Sequence, residues 1–135
     1  MREILFRGKR LDNGEWVEGI PIQNHIGTFI CFDENPHYCH QYGYMEIDEV
    51  ICVVPETVCQ YTGLTDRNES KIWENDIVEI LKEDGYLQIE WQEDTASFVI
   101  NSDSFTVTFD NYWGHEMEVI GNIFDDPELL KEGVE

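Results

Sequence analysis

Basic residues are scarce in this chain. Eight Lys and Arg stand against 29 Asp and Glu, for a formal net charge of −21. A field of that sign repels phosphate backbones and anionic lipid, so it argues against nucleic acid as a partner and favours basic proteins or cations. Long apolar runs are also missing. No stretch approaches the roughly 18 apolar residues of a membrane-spanning helix, and no membrane association is expected. The opening MREILFRGKR has no apolar core followed by a cleavage site, so the expected location is the cytoplasm of the producing cell. There the four cysteines (Cys31, Cys39, Cys52, Cys59) are expected to stay reduced. No Cys-x-x-Cys pair, no glycine-rich loop with a phosphate-binding Lys, no internal repeat and no low-complexity segment occurs.

What the chain does have is the composition of a globular sheet protein. Hydrophobic residues make up 41% and aromatics 13%, with four Trp, and 135 residues suit one domain spanning 1–135. The charge is unevenly spread. Residues 1–23 hold four basic side chains (Arg2, Arg7, Lys9, Arg10) and four acidic ones, leaving four basic and twenty-five acidic for the remainder. That segregation suggests a homo-oligomer in which the basic first hairpin of one copy meets the acidic body of the next. Plain solubility is the competing meaning of the acidic surface.

Turn signals recur every eight to twelve residues, the rhythm of an all-β sandwich or barrel. Residues 4–7 and 15–22 flank Leu11-Asp12-Asn13-Gly14, a hairpin signal, with Pro21 placing the second strand's end at an edge or terminus. Residues 28–32 read as a short apolar strand and 33–44 as a loop without period. Residues 50–54 form a near-continuous apolar run, the pattern of a fully buried strand, and Cys31 and Cys52 within such runs read as buried small hydrophobes. Further strands are expected within 71–81, with a turn at 73–76, and at 86–92, 96–101, 105–109 and 118–124. Leu87, Ile89 and Trp91 share one face, which makes Trp91 an expected core residue, as is Trp16 on the second strand. Asp126-Pro127-Glu128 has the form of a helix start.

Residues 53–78, VVPETVCQYTGLTDRNESKIWENDIV, carry unusually specific words: PET, QYTGL, DRNES and IWENDIV. With REILFRGKRLDNGEWVEG at the start and EVIGNIFDDPELL near the end, they resemble the YopX family, small proteins encoded by bacteriophages and prophages. Residues 23–43 have no counterpart in that resemblance. The family usually carries Gly where this chain has Cys59 and Asn75. Asn tolerates positive φ, so the second change can preserve a turn, whereas Cys59 requires negative φ or a different loop. The resemblance implies a small, partly closed pseudobarrel of mainly antiparallel strands with one or two short capping helices, and a tendency to self-associate. It implies no reaction.

The chemistry-bearing residues give weak signals. His37, Tyr38, Cys39 and His40 include soft and imidazole donors, but their spacing matches no zinc pattern, and no metal or other cofactor is expected. Cys59 with His115 could in principle make a nucleophile and base, yet surrounding carboxylates disfavour a thiolate. Glu74, Asp76 and Glu79 lie close in sequence; Asp76 is expected to hold the turn and Glu79 to face solvent. Asn68-Glu69-Ser70 reads as a polar turn. Tyr112 and Trp113 read equally as a recognition patch or as a loop tucked onto the barrel. The expectation is therefore a non-enzymatic phage accessory protein that binds itself and a basic host or phage protein, through Arg2, Arg7, Lys9, Arg10, Tyr112 and Trp113. The alternatives are a nucleic-acid-binding barrel confined to the basic hairpin, or a small metal-dependent enzyme built on the Cys/His loop.

Overall fold

The structure is a computed structural model that describes residues 3–31, 37–39, 44–46, 50–81, 85–101, 106–110 and 115–131, with backbone alone at 37–39, 44–46 and 131. The chain divides into two compact units, Glu3–Gln60 and the described residues from Tyr61 onward. Strand β7 (Cys59–Thr65) runs through the division. Every strand pair is antiparallel, as the alternation and turn rhythm require.

In the first unit, β1 (Phe6–Lys9) and β2 (Trp16–Gln23) form the expected hairpin, with Gly14 at φ 74 in the turn. β3 (Thr28–Cys31) pairs with β2, and β6 (Val50–Cys52) pairs with β3. Gly19 permits this packing: a Cβ there would stand 2.0 Å from the Cys31 carbonyl oxygen. Pro21 lies opposite Ile30, within β2 rather than at its end, but pairing to β1 stops at Gly19, so Pro21 is paired on one side only. The chain after β6 then returns to β1. A bridge joins Arg10 to Val53, flanked by Leu11 N–H to Cys52 O (3.0 Å) and Val54 N–H to Lys9 O (2.9 Å). The PET segment, a 3-10 turn at Pro55–Thr57, clamps this return: the Thr57 hydroxyl donates to Val54 O and accepts from Lys9 N–H. The sheet thus curls back toward its own first strand, with Ile30 and Val53 inside. This is the partly closed arrangement expected from the sequence.

Three expectations fail here. Residues 50–54 are not a fully buried strand. β6 lies at the end of the strand order, Val50 is 40% exposed, and only Val53 is deeply buried. Cys52 is accordingly exposed and Cys31 partly so; of the cysteine side chains among the described residues, only Cys59 is fully buried. The stretch 33–44 is not wholly loop either, because β4 (His37–Cys39) pairs with β5 (Tyr44–Glu46) as a separate hairpin.

From Tyr61 onward, β8 (Lys71–Trp73) pairs with β7 across a bulge that contains Gly63 at φ 90. A five-stranded sheet follows in the order β12–β11–β10–β9–β13, from β9 (Asp76–Ile80), β10 (Leu87–Gln92), β11 (Ser97–Asn101), β12 (Thr106–Thr108) and β13 (Met117–Asn122). Helix α1 (Glu128–Lys131) is a single turn. Ile72, Val78, Ile89, Ile100 and Met117 are fully buried in one core, with Leu87 and Phe109 at its margin. Trp73, 4% exposed, is packed on Tyr61 with ring centroids 5.6 Å apart.

The expectation for Trp91 is overturned. It shares parity with Leu87 and Ile89 but lies past the core's edge, 43% exposed and edge-on to Phe98 at 5.1 Å. Trp16 is likewise only half-buried. Trp73→Ala is therefore expected to cost about 3–5 kcal/mol in urea unfolding, and Trp91→Ala far less. Equal losses would show that Trp91 is a core residue after all.

Asp66 is the other fixed point. Only 3% exposed, it accepts the N–H groups of Asn68 (2.8 Å), Ser70 (2.9 Å) and Val119 (2.9 Å), so it shapes the polar turn and ties it to the outer edge of β13. Asp66→Ala strands these donors, and a loss of about 1–3 kcal/mol or more is expected from chemical denaturation. An unchanged midpoint would mean that the turn refolds onto water.

Candidate functional site

Directly opposed residues in an antiparallel pair project to the same side of the sheet. That rule sorts the first unit into two faces. Phe6, Gly8, Val17, Gly19, Ile30 and Ile51 point one way; Ile30 and Gly8 are buried there beside Val53, whose side chain would lie 3.2 Å from a Cβ on Gly8. The opposite face carries the register rows Lys9–Trp16, Arg7–Glu18, Ile20–Cys31–Val50 and Ile22–Phe29–Cys52.

The last two rows form a solvated apolar surface across three adjacent strands. Ile20 is 48% exposed, Ile22 39% and Val50 40%, Cys52 is exposed, and Phe29 and Cys31 are half-buried between them. A cavity of about 420 Å³ lined by Leu11, Asp12, Val50, Ile51 and Cys52 adjoins this surface at the β6 edge. Six apolar side chains in register, unbroken by a charge, differ from the scattered single hydrophobics of an ordinary surface. The sequence held a signal for this face. The segments FICF and VICVV are apolar at both parities, so either both faces are buried or one apolar face meets water. Ile20 and Ile22, separated by Pro21, repeat the same parity on β2.

The basic residues sit at the other end of the face. Arg7 lies over the Trp16 ring with its guanidinium carbon 4.3 Å from the centroid, and Lys9 reaches the same ring at 5.6 Å. Arg10 forms a two-pronged pair with Asp12, Nε to Oδ1 at 2.9 Å and a terminal nitrogen to Oδ2 at 2.8 Å. The structure thus brings Arg7 and Lys9 together on Trp16 and turns Arg10 to Asp12. Arg2, Tyr112 and Trp113 lie outside the described residues, as do the side chains of His37, Tyr38, Cys39 and His40.

The remaining candidates have structural surroundings. Asp76, 1% exposed, accepts Trp73 N–H at 2.8 Å, while Glu79 faces solvent. Asn75 takes φ 71, the left-handed conformation for which a Gly would otherwise serve. Cys59 lies on β7 without positive φ, its thiol 3.2 Å from Thr57 O. His115 is exposed. Among the described residues no three His, Cys, Asp or Glu side chains are grouped as a metal site, and no helix is long and apolar enough to cross a membrane. A second cavity, about 210 Å³, lies on the later sheet beside a polar chain in which Asn101 donates to Glu90 (2.6 Å) and accepts from Thr106 (2.7 Å).

The class these features define is a small all-β protein with an exposed apolar sheet face. The family model described as YopX protein matches residues 5–131, and the chain belongs to the YopX family. The crystal structure of protein EF1440 from Enterococcus faecalis is similar in fold, with a TM-score of 0.69 at 21% identity over 96% of this chain and 99% of that one. No curated protein matches the chain.

Hydrogen bonding from Arg10, reinforced by its charge, holds the Asp12 carboxyl below its ordinary range and raises the guanidinium's own pKa. A carboxyl whose folded pKa is depressed contributes stability above its unfolded pKa of about 3.9, and loses that contribution as pH falls through the folded value. The pair is therefore expected to be constant between about pH 5 and 8 and to fade only in acid. A carboxyl-detected NMR titration checks this: Asp12 should protonate at lower pH in the folded than in the urea-unfolded chain, and Arg10→Ala should move it up.

Proposed function

We propose that this chain is a phage or prophage accessory protein of the bacterial cytoplasm that works by binding, to itself and to a host or phage protein, rather than by catalysis. The observation that carries this reading is the solvated apolar face formed by Ile20, Ile22, Val50 and Cys52. A surface of that kind costs free energy in water and gains it when covered, at roughly 25 cal/mol per Å² of apolar area removed. A highly acidic chain is kept soluble by its charge, so its apolar face is free to serve association without promoting general aggregation.

Charge has a secondary part in this reading. Arg10 is matched by Asp12, and Arg7 and Lys9 lie against Trp16, so these cations are already engaged within their own hairpin. Rim charges of this type chiefly set orientation and association rate, while apolar contact supplies affinity.

Light scattering over a concentration series at low and high salt tests the reading. The expected result is a mass above the 15.9 kDa of one chain that survives added salt. A partner captured from host cells by the wild type and lost with Ile20→Glu would mark the same face as the binding surface. A single-chain mass at every concentration, with no partner lost on Ile20→Glu, would reject the proposal.

A further inference from the structure

We propose that the outer face of β2, β3 and β6 is where two copies of this chain meet, like face against like face about a two-fold axis. The inference rests on the self-association proposed above and names its surface.

Three observations select a second copy as the occupant. The first is charge. The rows Ile20–Cys31–Val50 and Ile22–Phe29–Cys52 contain no ionisable acid or base other than the thiols, whereas the chain after residue 23 carries twenty-five acids against four bases. Two bodies each at −21 repel wherever their acidic surfaces approach. They repel least where both present this uncharged face. A basic partner is drawn instead to the acidic remainder, and a nucleic acid is repelled by it.

The second observation is the state of the strand edge. The backbone beside β6 is already bonded back to the first strand through Leu11 N–H to Cys52 O and the Arg10–Val53 bridge. Strand addition at that point would have to break these bonds, so the available contact is through side chains, face on face. The third is the self-complementarity of the rows. In a two-fold contact residue i of one copy meets residue j of the other and j meets i, so each apolar row is covered by its counterpart with no second surface required. This differs from a head-to-tail ring, in which the basic hairpin would meet an acidic surface elsewhere. Arg7, Lys9 and Trp16 then form one rim of the contact and Leu11, 64% exposed, another. A stable interface buries about 800 Å² per partner, more than a few half-exposed aliphatic side chains supply, so the association is concentration-dependent rather than obligate.

Cys52 gives a direct readout, because its thiol is exposed within the proposed contact. A short bis-maleimide joins two thiols by addition of each thiolate across one alkene, with no oxidant involved. The expected product is a covalent dimer at twice 15.9 kDa that disappears in Cys52→Ser and persists in Cys39→Ser. Ile20→Glu and, separately, Val50→Lys should weaken association about tenfold or more by light scattering. Circular dichroism confirms that each variant folds; if one does not, the other and the Cys52 cross-link decide. An oligomer that gives no Cys52-dependent cross-link, or that tolerates both face changes, overturns this assignment and leaves self-association standing. A monomer at every concentration overturns both.

Discussion

The turn at residues 73–76 is the constraint on which the later sheet depends. Asn75 at φ 71 reverses the chain between β8 and β9. Its N–H donates to Ile89 O at 2.7 Å and its carbonyl accepts from Ile123 N–H at 3.1 Å, so one residue ties β10 and the end of β13 to the same corner. Asp76 closes the turn from inside through Trp73 N–H. A buried carboxylate is costly unless its oxygens find donors, and here the backbone supplies one. The IWENDIV segment is therefore specific for a physical reason. Apolar residues on either side enter the core, the acid caps the corner, and the residue between them must tolerate a left-handed backbone.

The same logic governs the other joints. Asp66 collects three backbone amides, and Asn122 accepts the N–H groups of Phe124 and Asp125 at the exit from β13. A side chain on Gly121 would displace the Asp126 carboxylate, which accepts the Asn122 N–H. Several acids of this very acidic chain are thus turn-formers with defined donors, and its negative charge is not only a matter of solubility.

Much of this was legible in the sequence. Alternation in residues 87–91 placed a strand, WEND placed a turn, and the tolerance of Asn for positive φ accounted for Asn75. What was not legible is how far a core extends along a face. Parity groups Trp91 with Ile89, but only packing shows that the core stops between them. Runs such as VICVV carry no parity signal, so burial on two sides could not be told from an apolar face left in water. The face of Ile20, Ile22, Val50 and Cys52 was hidden for that reason, beside cations that are more conspicuous in the sequence. Those cations are drawn into Trp16 and Asp12, contacts that depend on cross-strand register and turn geometry rather than on composition.

The return of residues 52–54 to residues 9–11 also sets an order of events for folding. Closing that ring brings together positions more than forty residues apart, as Arg10 and Val53 show, and the pairing of Phe6 with Gln60 spans still more chain. The β1–β2 hairpin and its pairing with β3 need only short loops, which close in nanoseconds to microseconds, whereas distant contacts bear a larger loop-closure entropy and form late. Loop-closure entropy therefore weighs more on the closure at Val53 and the Thr57 clamp than on the hairpin. The Ile20 and Ile22 stripe needs only the short-loop pairing of β2 with β3, whereas its widening by Val50 and Cys52 needs the longer closure that brings β6 to β3.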